Sequence, residues 1–437
     1  MAEGESINRR GIGIGLLGLG VVGGGVAQVL TEKSGVLTSQ AGSPLAIRRV
    51  LVRDPRKPRS FKVSPNLVTT SVPEVLGDPK IDIVIEVLGG ESPAYQLIRD
   101  ALSRGKHVVT ANKEVMGKHG PELSGLAQEH RVALLYEASA GGGIPLVGTL
   151  SDDLSADNIL AVKAIINGTT NYILTRMAND GLDFAEAQAL AQELGYAEPD
   201  PTDDIEGIDA AHKLAILATL AFRTEVRTGD VYREGISRLV ARDFQYAREL
   251  GYAIKLLAIA KDRDGSIEVR VHPTLLPEDL LLAKVDGVFN AAQIDADVAG
   301  RVLLYGRGAG PLPTASAIIS DVVKIARGIL SGQLDCRVAP LDKSKKIQAI
   351  DDIETQYYIR MMVEDTYGVL AQITQIFGER HISLASVIQK RSDEKTQTAE
   401  IVLMTHPALE RAMQAAISEM ETLSSVKEIG NVVRVEG

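Results

Sequence analysis

Two textures of apolar spacing divide the chain. From Ile12 to Tyr136, short apolar runs alternate with segments of helical period. The runs Ile12–Leu17, Leu45–Arg53, Ile81–Val87, His107–Thr110 and Val132–Tyr136 read as buried strands. Helices are predicted from Val21 to about Leu30, over Pro93–Arg104 and over Pro121–His130. Such alternation predicts a parallel sheet with crossover helices. From about Ile144 the helices lengthen and the strands weaken. Helical spacing marks Asn171–Asn179, Phe184–Leu194, Ile208–Phe222 and Ala241–Leu250, while Arg263–His272 and Ala283–Phe289 read as antiparallel strands. A Gly-rich turn, Tyr305–Ser316, precedes a helix to about Leu330.

Residues 331–354 are polar, hold the run KSKK and show no sustained period, so they read as a linker. A third unit follows over 355–437. Gln356–Val363, His381–Gln389, Gln397–Thr405 and Val426–Val435 are predicted strands, with helices at Gly368–Gly378 and Pro407–Glu421. The order βαββαβ in so short a span is that of a ferredoxin-like domain. The expected organisation is a nucleotide-type domain over 1–145 completed by 305–330, an α+β domain over 146–304, the linker, and the small C-terminal domain.

Composition narrows the chemistry. The 437 residues hold 47 basic and 57 acidic side chains, a net charge of −10, which argues against nucleic acid or an anionic membrane as partner. No apolar run approaches a membrane span, and the first ten residues lack the apolar core of a signal peptide. The single cysteine, Cys336, excludes an intramolecular disulfide and fits a reducing cytoplasm. The seven histidines show no zinc-site spacing.

Gly18-Leu19-Gly20-Val21-Val22-Gly23 spells GxGxxG between the first strand and its helix. The first glycine permits the tight turn, the second lets backbone approach a pyrophosphate, and the third lets helix and strand pack closely. The helix N-terminus offers unpaired N–H groups to phosphates. A Rossmann-type doubly wound sheet with a dinucleotide is expected. The second strand ends in Arg53, followed by Arg56, Lys57 and Arg59, which suits a 2′-phosphate and hence NADP; Asp54 keeps NAD open.

The stretch Gly195–Lys213, GYAEPDPTDDIEGIDAAHK, sets Glu198, Asp200, Asp203, Asp204, Glu206 and Asp209 ahead of one lysine. Asp209 and Lys213 are one helical turn apart. Carboxylates can hold an ammonium group while a lysine exchanges a proton with the substrate. An acidic loop that merely caps a helix is the competing reading.

These residues, with GLLGLGVVGGGV, VVTANKEV, LLYEASAGGGIP and INGTTNYILTRM in this order, resemble homoserine dehydrogenase over roughly residues 10–330. The C-terminal DTYGVLAQITQIFGERHISLASV resembles an ACT domain. The resemblance implies reversible NAD(P)-dependent interconversion of L-homoserine and L-aspartate 4-semialdehyde, feeding threonine, methionine and isoleucine synthesis. It implies Lys213 as proton donor and acceptor, and Lys113 beside nicotinamide and substrate. It further implies Glu198, Asp209, Asp204 and Thr169 on the substrate side. Cofactor contacts are expected at the Gly18–Gly23 turn, Arg53, Thr110, Lys113, Gly195 and Gly308. Glu137 and the carbonyls of Ala140, Gly142 and Ile144 match a monovalent-cation loop for Na+ or K+. Asn167, Gly168 and Thr170 match a substrate-side loop that can equally cap a helix. The ACT-like unit implies threonine as effector and a homodimer or homotetramer. Thr366-Tyr367 departs from the basic residue and proline common before GVL, which leaves a purely dimer-forming module as the alternative.

Three other functions compete. Aldehyde dehydrogenases of the aspartate-semialdehyde type act through a cysteine thioester, and the one cysteine here lies in the linker. A dehydrogenase of 2-hydroxy acids would use a histidine base with an arginine, and no such set stands out. A non-enzymatic sensor would not need Lys113, Glu198, Asp209 and Lys213 together.

Overall fold

The run Ile12–Leu17 forms β1, every residue buried, because it lies at the centre of a parallel sheet covered on both faces. The computed structural model describes residues 11–334, 336, 340–393 and 395–437, which divide into two compact units. The first holds the described residues up to Leu160, His212–Gly229 and Ile294–Lys343. Its other strands are β2 (Leu45–Leu51), β3 (Val68–Thr69), β4 (Ile83–Glu86), β5 (His107–Thr110) and β6 (Leu134–Leu135). All pair in parallel in the order β3-β2-β1-β4-β5-β6, the doubly wound order expected.

The helix after β1, α1 (Val21–Glu32), buries Val26 and Leu30. They share a core with Ile14 and Leu16 of β1, Ile83 and Ile85 of β4, and Ile318, Val322 and Ile325 of the helix Pro311–Ser331. Helix α2 (Lys113–Glu129) starts eight residues before the predicted Pro121, which lies inside it. Asn112 sets that start: its side-chain oxygen accepts the Val115 N–H at 3.1 Å.

The second unit comprises Ala161–Ala211, Asp230–Gln293 and the described residues from Ser344 to Gly437. Its helices include α3 (Gly168–Asp180) and the first turn of α4 (Ile208–Phe222). Its strands are β7 (Ile159–Ile165), the short β8 (Tyr232–Arg233), β9 (Tyr252–Arg263), β10 (Ser266–Pro277) and β11 (Phe289–Ala296). β9 and β10 form a hairpin through Asp264 and Gly265, both at positive φ, as a two-residue turn of matching twist requires. The strand expected at Ala283–Phe289 instead starts at Phe289, because Leu282–Lys284 turns as a 3-10 helix.

The C-terminal βαββαβ unit is built from β12 (Glu354–Glu364), α5 (Val369–Glu379), β13 (Leu384–Asp393), β14 (Thr398–Thr405), α6 (Glu410–Met420) and β15 (Val426–Val435). Its core packs Tyr357, Ile359, Met361, Phe377, Leu403, Met413 and Met420. It is not suspended on a free tether. β15 pairs in parallel with β10 (Thr274 opposite Arg434, Leu275 opposite Val435), so one sheet runs β11-β7-β9-β10-β15-β12-β14-β13. The presumed linker also takes part: Lys346–Ile347 pairs with Ser266–Ile267 of β10.

Buried charge reinforces this junction. The Glu436 carboxylate, 5% exposed, accepts from Lys261 at 2.6 Å, Arg270 at 2.8 Å and Lys163 at 2.9 Å. Burial alone would raise its pKa, but Lys261, Arg270 and Lys163 overcome that and hold it down at about 2. Among the described residues no helix is long and apolar enough to cross a membrane.

Candidate active site

In the first unit the glycine turn has the shape a pyrophosphate requires. Gly18 sits at φ +104°, and a Cβ there would meet the Val87 carbonyl oxygen at 2.8 Å. A Cβ on Gly23 would stand 2.2 Å from the Gly18 carbonyl oxygen. Gly20, the N-cap of α1, faces open space, where a ligand can approach the backbone. Leu19 is buried and Val22 packs against the core, while Val21 stands exposed beside the open main chain at Gly20.

Beyond β2, Arg53 is exposed. The Asp54 carboxylate accepts the Arg56 N–H at 2.8 Å, and Arg59 donates to the Lys57 carbonyl at 2.8 Å. Asp54 thus braces its own turn, and the loop presents cationic side chains.

Thr110 ends β5 fully buried, its hydroxyl donating to Glu86 Oε2 at 2.6 Å. Glu86 ends β4, and its other oxygen accepts the Leu88 N–H at 2.7 Å. Burial raises the Glu86 pKa, against the pull of Thr110 and the Leu88 amide. The Asn112 amide donates to the Gly90 carbonyl at 2.7 Å, and its N–H to Thr110 Oγ1 at 3.0 Å. This network pins the N-terminus of α2, where Lys113 is the first helical residue. Glu86 escaped the sequence reading. Its only signal is a carboxylate closing an otherwise apolar strand.

Lys113 and Lys213 lie on helices that touch. Gly117, one turn after Lys113, comes so close to α4 that a Cβ there would stand 3.1 Å from the His212 carbonyl oxygen. The His212 ring meets Thr228 Oγ1 at 3.0 Å. Both lysines are half-buried.

In the loop Glu137–Ile144 every residue but Gly143 is buried. The Glu137 carboxylate accepts the Val147 and Gly148 N–H groups, each at 2.8 Å, while its own N–H donates to Asp321 at 2.9 Å. Burial pushes Asp321 up to about 7 despite that amide. A Cβ on Gly142 would fall 1.9 Å from the Gly308 carbonyl oxygen, so the two Gly-rich turns interlock, with the Gly143 N–H donating to Arg307 at 3.2 Å. Ala140 and Ile144 are buried, and the Ile144 carbonyl already accepts the Leu146 N–H at 2.9 Å.

In the second unit, Asn167 gathers the acidic residues. Its amide nitrogen donates to Asp204 Oδ1 at 2.6 Å and Asp209 Oδ2 at 2.8 Å. Its oxygen caps α3, accepting the Thr170 N–H at 2.9 Å. One side chain therefore both caps α3 and joins two of the acidic residues. Asp209 is 3% exposed and opens α4, one turn before Lys213. Asn167 thus brings two carboxylates together, a pairing able to receive a substrate ammonium. Thr169 Oγ1 donates to the Tyr196 carbonyl at 2.9 Å, tying the NGTTN turn to the acidic stretch. Gly195 adopts φ +72° with open space about it. Glu198 is exposed, its main-chain carbonyl accepting from Gln192 at 3.2 Å.

Comparison with known proteins agrees across the chain. Residues 18–137 match the family "Homoserine dehydrogenase, NAD binding domain", 145–323 match "Homoserine dehydrogenase", and 357–424 match "ACT domain". A homoserine dehydrogenase of Synechocystis is 42% identical over 431 residues, covering 97% of this chain and 99% of the relative. The crystal structure of a homoserine dehydrogenase from Thiobacillus denitrificans superposes with a TM-score of 0.91 at 42% identity, covering 97% of this chain and 98% of that one. A hyperthermophilic archaeal homoserine dehydrogenase solved in complex with NADPH matches with a TM-score of 0.61 at 28% identity, over 72% of this chain and 97% of its own.

Proposed function

The chain belongs to the homoserine dehydrogenase family, and on that premise we propose how its residues divide the work of an NAD(P)-dependent oxidoreductase acting on L-homoserine and L-aspartate 4-semialdehyde. Asp204 and Asp209 bind the substrate ammonium, with Asn167 fixing their spacing. Glu198 and Thr169 complete the substrate side. Lys213 takes the hydroxyl proton when homoserine is oxidised and returns it in the reverse direction. Lys113 lends a second cation near the developing charge on oxygen. Bound nicotinamide supplies the hydride chemistry. The single observation that carries this reading is the Asn167 amide bridging Asp204 and Asp209 one helical turn before Lys213.

The cofactor reading rests on Gly18–Gly23, with Thr110, Lys113, Gly195 and Gly308 as further contacts. NADP is preferred through Arg53, a preference supported by Asp54 being engaged within its own turn and by the archaeal relative's NADPH. The monovalent cation, Na+ or K+, binds the loop Glu137–Ile144 through the carbonyls of Ala140, Gly142 and Ile144. Glu137 contributes through its main-chain oxygen, while its carboxylate, accepting the Val147 and Gly148 amides, holds the loop in shape. Threonine acts through the ACT domain, and β13, at the edge of its sheet, supports assembly as a homodimer or homotetramer.

The test is a set of initial rates with homoserine and either NADP+ or NAD+, in sodium and in potassium buffer, read as absorbance of the reduced cofactor. A robust rate, higher with NADP+, is expected. No turnover under any of the four conditions would refute the assignment.

A further inference from the structure

The segment following α4 links two features that the sequence separates by more than two hundred residues. Its residues Tyr232–Arg233 pair as β8 with Arg270–Val271 of β10, and the Glu234 N–H donates to the Val271 carbonyl at 2.8 Å. On one side this segment grips the acidic stretch. The Ile236 N–H donates to the Ile205 carbonyl at 3.0 Å, and Ser237 Oγ donates to Glu206 at 3.2 Å. Gly235 lies so close that a Cβ would stand 2.8 Å from the Ile205 carbonyl oxygen and 2.6 Å from a Glu206 carboxylate oxygen. Ile205 directly follows Asp204, which Asn167 ties to Asp209.

On its other side the same segment is gripped by the ACT domain. Arg434 of β15 donates to Glu234 Oε1 at 2.9 Å and lies over the Tyr232 ring at 5.2 Å, while the Tyr232 hydroxyl also donates to Glu234. The rest of the Arg434 guanidinium is held by Glu410 of α6, at 2.8 and 2.5 Å. A second grip comes from Asn431, whose amide donates to the Arg238 carbonyl at 3.0 Å and to Asp243. Arg434 is 2% exposed. A bidentate carboxylate pair at that burial fixes the guanidinium in one orientation.

We propose that Glu234 is a positioning residue for the substrate carboxylates, and that Arg434 of the ACT domain sets where Glu234 stands. The inference rests on Asp204 and Asp209 being the ammonium site. Arg434 anchors Glu234, Glu234 leads directly into Gly235 and Ile236, and Ile236 holds the carbonyl of Ile205, the residue next to Asp204. Movement of α6 or β15 within the ACT domain then reaches the ammonium site through a chain of direct contacts. Contiguity of this kind makes such coupling physically available.

The variants are Glu234→Gln, which keeps the shape and removes the charge, and Tyr232→Phe, which removes one hydroxyl. Both are gentle enough to fold, which far-UV circular dichroism verifies. The expected result is a homoserine KM raised about 2- to 30-fold in Glu234→Gln, the span such networks transmit, with a smaller rise in Tyr232→Phe. The KM for NADP+ should stay within about twofold, because the cofactor turn lies outside this network, and Glu234→Asp should recover part of the homoserine KM. Arg434→Gln combined with Glu234→Gln should add little beyond either single change. A homoserine KM within twofold of wild type in both Glu234→Gln and Tyr232→Phe would overturn the inference, as would a parallel rise in the cofactor KM. A wild-type protein inactive on homoserine would instead overturn the functional reading.

Discussion

Replacing Glu436 by Gln tests whether the junction of β10 and β15 is held by charge. Glu436 accepts from three cations, Lys261, Arg270 and Lys163, while almost wholly buried. Gln keeps the shape and leaves those cations without their shared anion. Removing one partner of a buried pair costs about 3–5 kcal/mol. An independent figure comes from the proton: depression from 4.5 to about 2 corresponds to about 3 kcal/mol at ~1.4 kcal/mol per unit. The lower end is preferred, because Lys261 is itself held below the usual lysine range by burial, against the pull of Glu436. For a unit of this size that is roughly 6–12 °C in melting temperature.

The pH dependence has a definite sign. A carboxylate whose folded pKa is depressed contributes stability that is present in full above its unfolded pKa and is lost as pH falls through the folded one. The gap between wild type and variant should therefore be flat from pH 8 to 5, then narrow from about 4.5 toward 2. The chain has no tryptophan, so far-UV circular dichroism is the probe of choice. A variant melting within about 2 °C of wild type at pH 7.5 would refute the reasoning, as would a gap that closes between pH 8 and 5.

Three further outcomes are expected. Lys213→Ala should lower kcat by about 10²–10⁴-fold with the cofactor KM nearly unchanged, and an unaltered kcat would remove Lys213 from proton transfer. Asp209→Asn, which retains an acceptor for Asn167, should raise the homoserine KM by roughly tenfold or more, in line with losing a charge-assisted contact of about 1.5–3 kcal/mol; a flat KM would exclude an ammonium contact there. Arg53→Asp should move the ratio of kcat/KM values from NADP+ toward NAD+, and identical ratios before and after would leave Arg53 a surface charge.

Much of this was legible in the residues themselves. β1 and its glycine turn could be read because apolar period and turn chemistry coincide at Ile12–Gly23. The parallel pairing of the six-stranded sheet follows from the alternation of strand and helix. The start of α2 was misread because Pro121 resembles a first helical residue, whereas the cap is Asn112. β9 passed unnoticed, although Asp264-Gly265 marks its hairpin. β11 was displaced because its sequence, FNAAQIDA, carries alanine and amides where a strand signal wants β-branched side chains. The carboxylate cluster was legible by composition, but not its organiser. Asn167 lies 37 residues before Asp204 and 42 before Asp209, and no local pattern encodes that meeting. The same holds for Glu86, whose partner Thr110 is brought in only by the pairing of β4 with β5.

The pairing of β15 with β10 bears on how such an enzyme could be cut or rebuilt. A chain ending before Val426 would bare the amides of β10 that now face β15 and release Lys163 and Lys261 from Glu436. An exposed ladder edge of that kind invites intermolecular association. Grafting this C-terminal module onto another dehydrogenase therefore demands a recipient strand with matching register and cations, not merely a permissive hinge.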